Sequence, residues 1–73
     1  MAPRAVLVAV PGLRYWRTRR AMSQKQLAEA IQVALSTVAR LEGGGEARLA
    51  TVKKLADALD LEPGALMDQP PAT

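Results

Sequence analysis

Residues 30–42 read Ala30-Ile31-Gln32-Val33-Ala34-Leu35-Ser36-Thr37-Val38-Ala39-Arg40-Leu41-Glu42, or AIQVALSTVARLE, and the fold turns on whether this stretch is one helix or two. Leu27, Ile31, Ala34, Val38 and Leu41 are spaced four, three, four and three residues apart. That is a heptad seam, suited to one long helix packed on a partner. A corner at Gln32-Val33 gives two short helices instead and frees the second to lie in a DNA groove. Length and packing favour the corner. An unbroken helix from Ser23 to Leu41 would be roughly 28 Å long at ~1.5 Å per residue, and in so small a chain it would overhang its neighbours. Val33 would face away from the seam into water, and Ile31, Val33 and Thr37 propagate an exposed helix poorly. With a corner, Val33 turns inward as a plug, and Leu27 and Ile31 meet Val38 and Leu41 across a crossing.

The flanks supply the other elements. Ser23, followed three residues later by Gln26, is a capping box that opens a helix with Leu27, Ala28 and Ile31 on its buried face. Upstream, Leu13 and Trp16 lie one helical turn apart among arginines and predict a helix over about 13–21, closed by Met22. Pro11-Gly12 reads as a turn. Residues 5–10, AVLVAV, are apolar and partly β-branched and favour an extended chain. A single strand cannot satisfy its own backbone, so this one lies on the domain, pairs with its copy in a second subunit, or stays disordered; an exposed apolar edge makes the pairing attractive. Downstream, Gly43-Gly44-Gly45 ends the helix containing Leu41. Leu49, Val52, Leu55, Ala56 and Leu59 then repeat at helical spacing, with Lys53, Lys54, Asp57 and Asp60 outward, and predict a helix over about 48–60. Pro63 opens a last short helix whose Leu66 and Met67 point inward. No strand pattern is visible after residue 11, so the expected class is all-α.

Composition narrows the functions. Seventy-three residues make one small domain, marginal alone, for which oligomerisation is a fair expectation. The chain has no cysteine and no histidine. Disulfides, thiolate and zinc sites and the commonest catalytic base go with them, and no loop clusters acids as an EF-hand does. With no Gly-rich phosphate loop leading from a strand, an enzyme is not expected, nor is a cofactor. The apolar run at 5–10 is too short to span a bilayer and, bracketed by Pro3 and Pro11, does not read as a signal peptide. A cytoplasmic protein with no membrane partner is expected. The net charge of +3 is unevenly laid out: residues 1–40 carry seven basic residues against Glu29 alone, a net +6, and residues 41–73 carry three against six acidic, a net −3. A basic half suits a polyanion, the plain alternative being a solvated surface.

The segment MSQKQLAEAIQVALSTVARLEGG, Met22–Gly44, resembles the helix-turn-helix of the lambda-repressor-like family, also called Cro/CI-type or XRE. The similarity spans residues 13–67. It includes Leu13 and Arg17, Ser23-Gln24 with Leu27-Ala28, and Ser36-Thr37-Val38 with Leu41-Glu42-Gly44. It continues through Thr51-Val52, Leu55-Ala56 and Ala58-Leu59 to Leu66-Met67. The resemblance implies a compact five-helix bundle at 13–67 whose third helix reads DNA; the residues themselves predict an extended arm at 1–12 before it and a disordered tail at 68–73 after it. Three positions depart from the family pattern. Gln32 stands where glycine is usual, at a cost of about 1 kcal/mol if its φ is positive. Ala34 stands where a Ser or Thr caps the third helix, a loss of about 0.5–2 kcal/mol. Ala47-Arg48 replaces a Pro and a Ser-like cap before the fourth helix.

With Val38 and Leu41 inward, Leu35, Ser36, Ala39 and Arg40 form the outer face of the third helix and are the expected base contacts. Arg40 can fork onto a guanine, worth ~1–3 kcal/mol of discrimination, or be a surface arginine near Glu42 or Glu46. Ser36 can bond a base edge or a phosphate. Leu35 packs on a thymine methyl or is buried in a shifted helix. Gln24, at a helix start that favours anions, is a phosphate candidate or simply a solvent-facing start. Thr37, Arg19, Arg20 and Arg48 are further phosphate candidates, although Arg19 and Arg20 also suit the C-terminal dipole of their own helix. By resemblance, Arg17 and Glu42 form a structural ion pair tying the first helix to the end of the third. Trp16 reads as core. The expected function is sequence-specific binding of double-stranded DNA by a nucleoid-associated, repressor-like transcriptional regulator. It would act as a homodimer, with two recognition helices about 34 Å apart on a near-palindromic operator. An antitoxin that binds its own promoter and a toxin partner, a co-regulator partner, and a helical interaction protein that uses the heptad seam without DNA remain alternatives.

Overall fold

The computed structural model describes residues 6–71; residues 1–5 of the expected arm and 72–73 of the expected tail lie outside that range. In chain order the elements are β1 (Leu7–Ala9), α1 (Leu13–Arg19), α2 (Gln24–Ile31), α3 (Leu35–Glu42), β2 (Glu46–Arg48), α4 (Leu49–Leu59) and α5 (Pro63–Met67). The chain turns its corner at Gln32, which takes the left-handed conformation, φ 60° and ψ 47°. The Gln32 N–H donates to the Glu29 carbonyl at 3.2 Å and the Val33 N–H to the Ala28 carbonyl at 3.0 Å. These two bonds satisfy carbonyls that the end of α2 would otherwise leave open.

The same closure recurs twice. Ala21 has φ 55° and Asp60 φ 57°. The next residue donates five positions back in each case, Met22 to Arg17 at 3.1 Å and Leu61 to Ala56 at 2.8 Å. Met22, Val33 and Leu61, the residues just past the three turns, are apolar, partly buried and packed on the core. Burying such a side chain is worth on the order of 1–2 kcal/mol, enough to offset the roughly 1 kcal/mol strain of a left-handed residue with a Cβ. An apolar anchor thus does here what glycine does elsewhere. It also explains why α1 stops at Arg19, short of the expected 21: Ala21 has already left the helix.

Helix starts vary more. Ser23 and Gln26 exchange the two hydrogen bonds of a capping box at 2.8 and 3.0 Å. Ala34 and Arg48, at the starts of α3 and α4, make no side-chain cap. α5 begins on Pro63, whose missing N–H is one the helix could not have bonded.

The expectation of no strand beyond residue 11 is overturned. β1 pairs antiparallel with β2, Leu7 opposite Arg48, Val8 opposite Ala47 and Ala9 opposite Glu46. Of the three fates open to the N-terminal strand, it lies on its own domain. Glu46-Ala47-Arg48 has no intrinsic strand pattern; β1 supplies the edge it pairs with, and Ala47, 5% exposed, tucks into the core. The pair fastens the N-terminal segment to the connection between α3 and α4. Gly12, just beyond, is pressed on α5: its N–H donates to the Leu66 carbonyl at 3.0 Å, and a Cβ there would come within 2.8 Å of the Ala65 carbonyl oxygen.

The core gathers Val10, Leu13, Leu27, Val38, Leu41, Val52, Leu55, Leu59 and Leu66 with smaller partners, and no buried polar residue is found among the described residues. Leu27, Ile31, Val38 and Leu41, the large residues of the heptad seam, are all buried within this one domain. No helix among the described residues is long and apolar enough to cross a membrane.

The corner and the unbroken helix predict opposite responses at one residue. Gln32→Gly should raise stability by about 0.5–1 kcal/mol, because it relieves left-handed strain. In a continuous helix the same change would cost about 1 kcal/mol. Urea unfolding midpoints of the two proteins decide between them.

Candidate nucleic-acid interface

The inner edge of α3 is fixed by Val38 and Leu41, both essentially inaccessible. Leu35, Ser36, Ala39 and Arg40, at positions i, i+1, i+4 and i+5, therefore share the outer face, and all four are exposed. Leu35 is 48% exposed, so the buried role does not hold. Thr37 is half-buried at the margin of a groove that it lines with Leu7, Val33, Arg40 and Arg48.

Arg40 folds back along the surface. Its Nη1 donates to the Glu46 carbonyl oxygen at 3.1 Å. The partner is backbone, not a carboxylate. The side chain crosses Gly45 so closely that a Cβ there would stand 2.7 Å from Nη1. One exposed hydrogen bond is worth about 0.5–1.5 kcal/mol, and a guanidinium has five N–H donors, so this contact leaves most of the group available.

Three helices meet at the carboxylate of Glu42, at the end of α3. Arg17 donates from Nε to Oε2 at 2.5 Å and from Nη2 to Oε1 at 3.0 Å. Its Nη1 donates to the Met22 carbonyl at 2.6 Å. Gln24 Nε2 donates to Glu42 Oε1 at 3.1 Å. The Arg17 and Glu42 side chains are only 13% and 5% exposed. Burial pushes the Glu42 carboxyl up, but the hydrogen bonds from Arg17 and Gln24 and the charges of Arg17 and Arg14 outweigh it and hold the group below its usual range. The bond to Glu42 raises the Arg17 guanidinium further above its ordinary value.

Gln24 is thus neither free nor simply solvent-facing. One amide N–H is engaged by Glu42 and the Gln26 N–H by the Ser23 hydroxyl, while the Gln24 and Lys25 N–H groups have no partner within the helix. Arg20 sends Nε to the Leu59 carbonyl at 2.8 Å and lies 5.8 Å over the Trp16 ring, so it closes the end of α4 rather than of its own helix. Arg19 lies 5.4 Å over Tyr15. Trp16 is half-buried, packs on the core and meets Tyr15 edge-on at 5.0 Å. Arg48 is exposed where β2 meets α4.

The structure therefore gathers Leu35, Ser36, Ala39 and Arg40 on one face, sets Thr37 and Arg48 beside it, and joins Gln24 to the end of α3. Arg19 and Arg20 stand apart at the end of α1. The sequence reading missed Arg14, whose charge reaches Glu42. The signal was present, since Arg14, Arg17 and Thr18 recur at i, i+3 and i+4. Among the described residues no three His, Cys, Asp or Glu side chains cluster as a metal site would require.

A family model described as helix-turn-helix matches residues 13–66 of the chain. No curated protein and no solved structure matches it.

The lowered Glu42 carboxyl makes a signed prediction. A carboxyl depressed by folding contributes stability that is fully present above its unfolded value, about 4.3, and is lost as pH falls through the folded value. Glu42→Gln should therefore be about 2–4 kcal/mol less stable than the parent at pH 7, with the gap shrinking below pH ~4. Urea midpoints across that range test it; a gap independent of pH would contradict it.

Proposed function

The chain belongs to the lambda-repressor-like helix-turn-helix family of DNA-binding domains, and from that premise we propose that it binds double-stranded DNA sequence-specifically and regulates transcription. The observation that carries this reading is the left-handed corner at Gln32, which separates α3 from α2 and leaves Leu35, Ser36, Ala39 and Arg40 uncovered. In the proposed complex α3 lies in the major groove. Arg40 leaves the Glu46 carbonyl and forks onto the O6 and N7 of a guanine, Ser36 bonds a base edge, and Leu35 packs on a thymine methyl. Gln24, Thr37, Arg19, Arg20 and Arg48 contact phosphates, which orient the protein without reading sequence.

Two copies in a homodimer would set their recognition helices about 34 Å apart on a near-palindromic operator. Such a protein represses by occupying a promoter, and it works in the cytoplasm, at the nucleoid. A toxin or co-regulator partner fits the same fold. A DNA-free interaction protein using the heptad seam is disfavoured, because the large seam residues are already buried inside the domain.

Selection of bound fragments from random duplexes tests the reading. Arg40→Ala should relax base preference at one position per half-site, with a loss of ~1–3 kcal/mol of discrimination there. Gln24→Ala should weaken all sequences alike. If both variants bind as the parent does, α3 and the start of α2 are not the interface.

A further inference from the structure

The N-terminal strand spends one edge on its own domain and keeps the other. β1 pairs with β2 through Leu7–Ala9. In an antiparallel pair, alternate residues turn their N–H and C=O groups away from the partner strand. Among the described residues no backbone hydrogen bond of Leu7–Ala9 reaches anything but β2. β2 is less open, because Arg40 occupies its Glu46 carbonyl and its chain passes directly into α4. Free edges are commonly blunted by a charge or a proline, and residues 5–10 carry neither.

Apolar side chains collect at the same place. Four large ones stay exposed among the described residues: Val6 at 58%, Leu7 at 51%, and Leu35 and Leu49 at 48%. Leu35 belongs to α3. The other three gather at one rung of the sheet, since Val6 and Leu49 adjoin the Leu7–Arg48 pair. A single exposed leucine is ordinary, but three apolar side chains beside an unpaired strand edge mark a contact surface.

The occupant follows from the strand's own pattern. Leu7 and Ala9 face outward, one large and one small, while Val8 packs on the core. A second β1 laid antiparallel about a two-fold axis through Val8 sets each Leu7 opposite the partner's Ala9. Val6 then lies opposite the partner's Val10, a residue that enters the core. Each outer row runs from Arg48 through Leu7 and the partner's Ala9 to the partner's Glu46, so its ends carry opposite charges. A two-fold through Leu7 would instead place an arginine at both ends of the row. An axis perpendicular to the sheet also turns both outer faces the same way, so both copies of Arg48 look toward one duplex.

We propose that the free edge of β1 pairs antiparallel with β1 of a second copy, about a two-fold at Val8, to join two domains through a continuous four-stranded sheet. This rests on the homodimer reading of the preceding subsection and gives it a surface. The contact is small beside the ~800 Å² that each partner gives to a stable interface. It acts chiefly between copies seated on neighbouring half-sites, at an effective concentration on the order of mM.

The chain has no cysteine, so the register can be trapped directly. Leu7→Cys and Ala9→Cys chains, one of them isotope-labelled, are mixed without DNA and oxidised, and mass identifies the products. The proposed register sets positions 7 and 9 within disulfide reach and leaves like positions diagonal, about 7–8 Å apart and beyond it. The mixed product should exceed the half share that random collision gives. Half or less, or no product, overturns the proposal. In a second arm the parent and Val6→Thr/Leu7→Thr, checked for folding by circular dichroism, are titrated with selected duplexes carrying one half-site or two. For the parent, the second half-site should raise affinity about tenfold or more over independent binding. The variant should lose that gain and keep the single-site affinity. No gain in the parent overturns the proposal. A gain that survives in the variant also overturns it, and leaves the homodimer reading standing on another surface. A parent that binds neither duplex refutes the DNA-binding reading, and the cross-linking arm then judges the strand edge alone.

Discussion

Gln32 holds a left-handed backbone without being glycine, and the side chain that follows it is what keeps it there. Val33 can reach the core only if the chain leaves α2 at that residue, so strain at one position and burial at the next are a single structural event. The consequences run outward from it. Because the chain turns, Leu27 and Ile31 meet Val38 and Leu41 inside one domain, and the opposite side of α3 is left without a partner helix. The surface proposed to read DNA is the remainder after the core has taken what it needs.

α3 is held at both ends. At its start the corner sets its direction. At its end Glu42 is gripped by Arg17 and Gln24, which ties α3 to α1 and to the first turn of α2. Beyond Glu42 the glycines lead into β2, which β1 fastens to the domain. Arg40 touches that strand through the Glu46 carbonyl, so its resting position is set by the sheet as well as by its own helix. On the proposed reading, a helix fixed this way would meet DNA with little ordering left to do, and preorganisation of that kind lowers the entropy cost of binding.

What could be read from the chain was local. The Ser23–Gln26 capping box, the apolar periodicity of α2 and α4 and Pro63 at the start of α5 are all determined within a few residues, and the helices begin where those signals stand. The corner was inferable only indirectly, from where Val33 would otherwise point. What was invisible depends on distant partners. β2 exists because residues 7–9 lie alongside it, not because Glu46-Ala47-Arg48 favours a strand. Gln24 finds Glu42 eighteen positions away, and Arg20 finds the end of α4 thirty-nine positions away. The left-handed turns at Ala21 and Asp60 carry no glycine to announce them, and only the burial of Met22 and Leu61 explains them.

The most direct test is a map of the duplex on the protein surface: amide resonances of the labelled chain followed while double-stranded DNA is added at low salt. The account predicts the largest changes at Leu35, Ser36, Ala39 and Arg40 and in the first turn of α2, with the acidic side around Asp57, Asp60 and Glu62 unmoved. Changes concentrated on α4 and α5, or none on the outer face of α3, would contradict it.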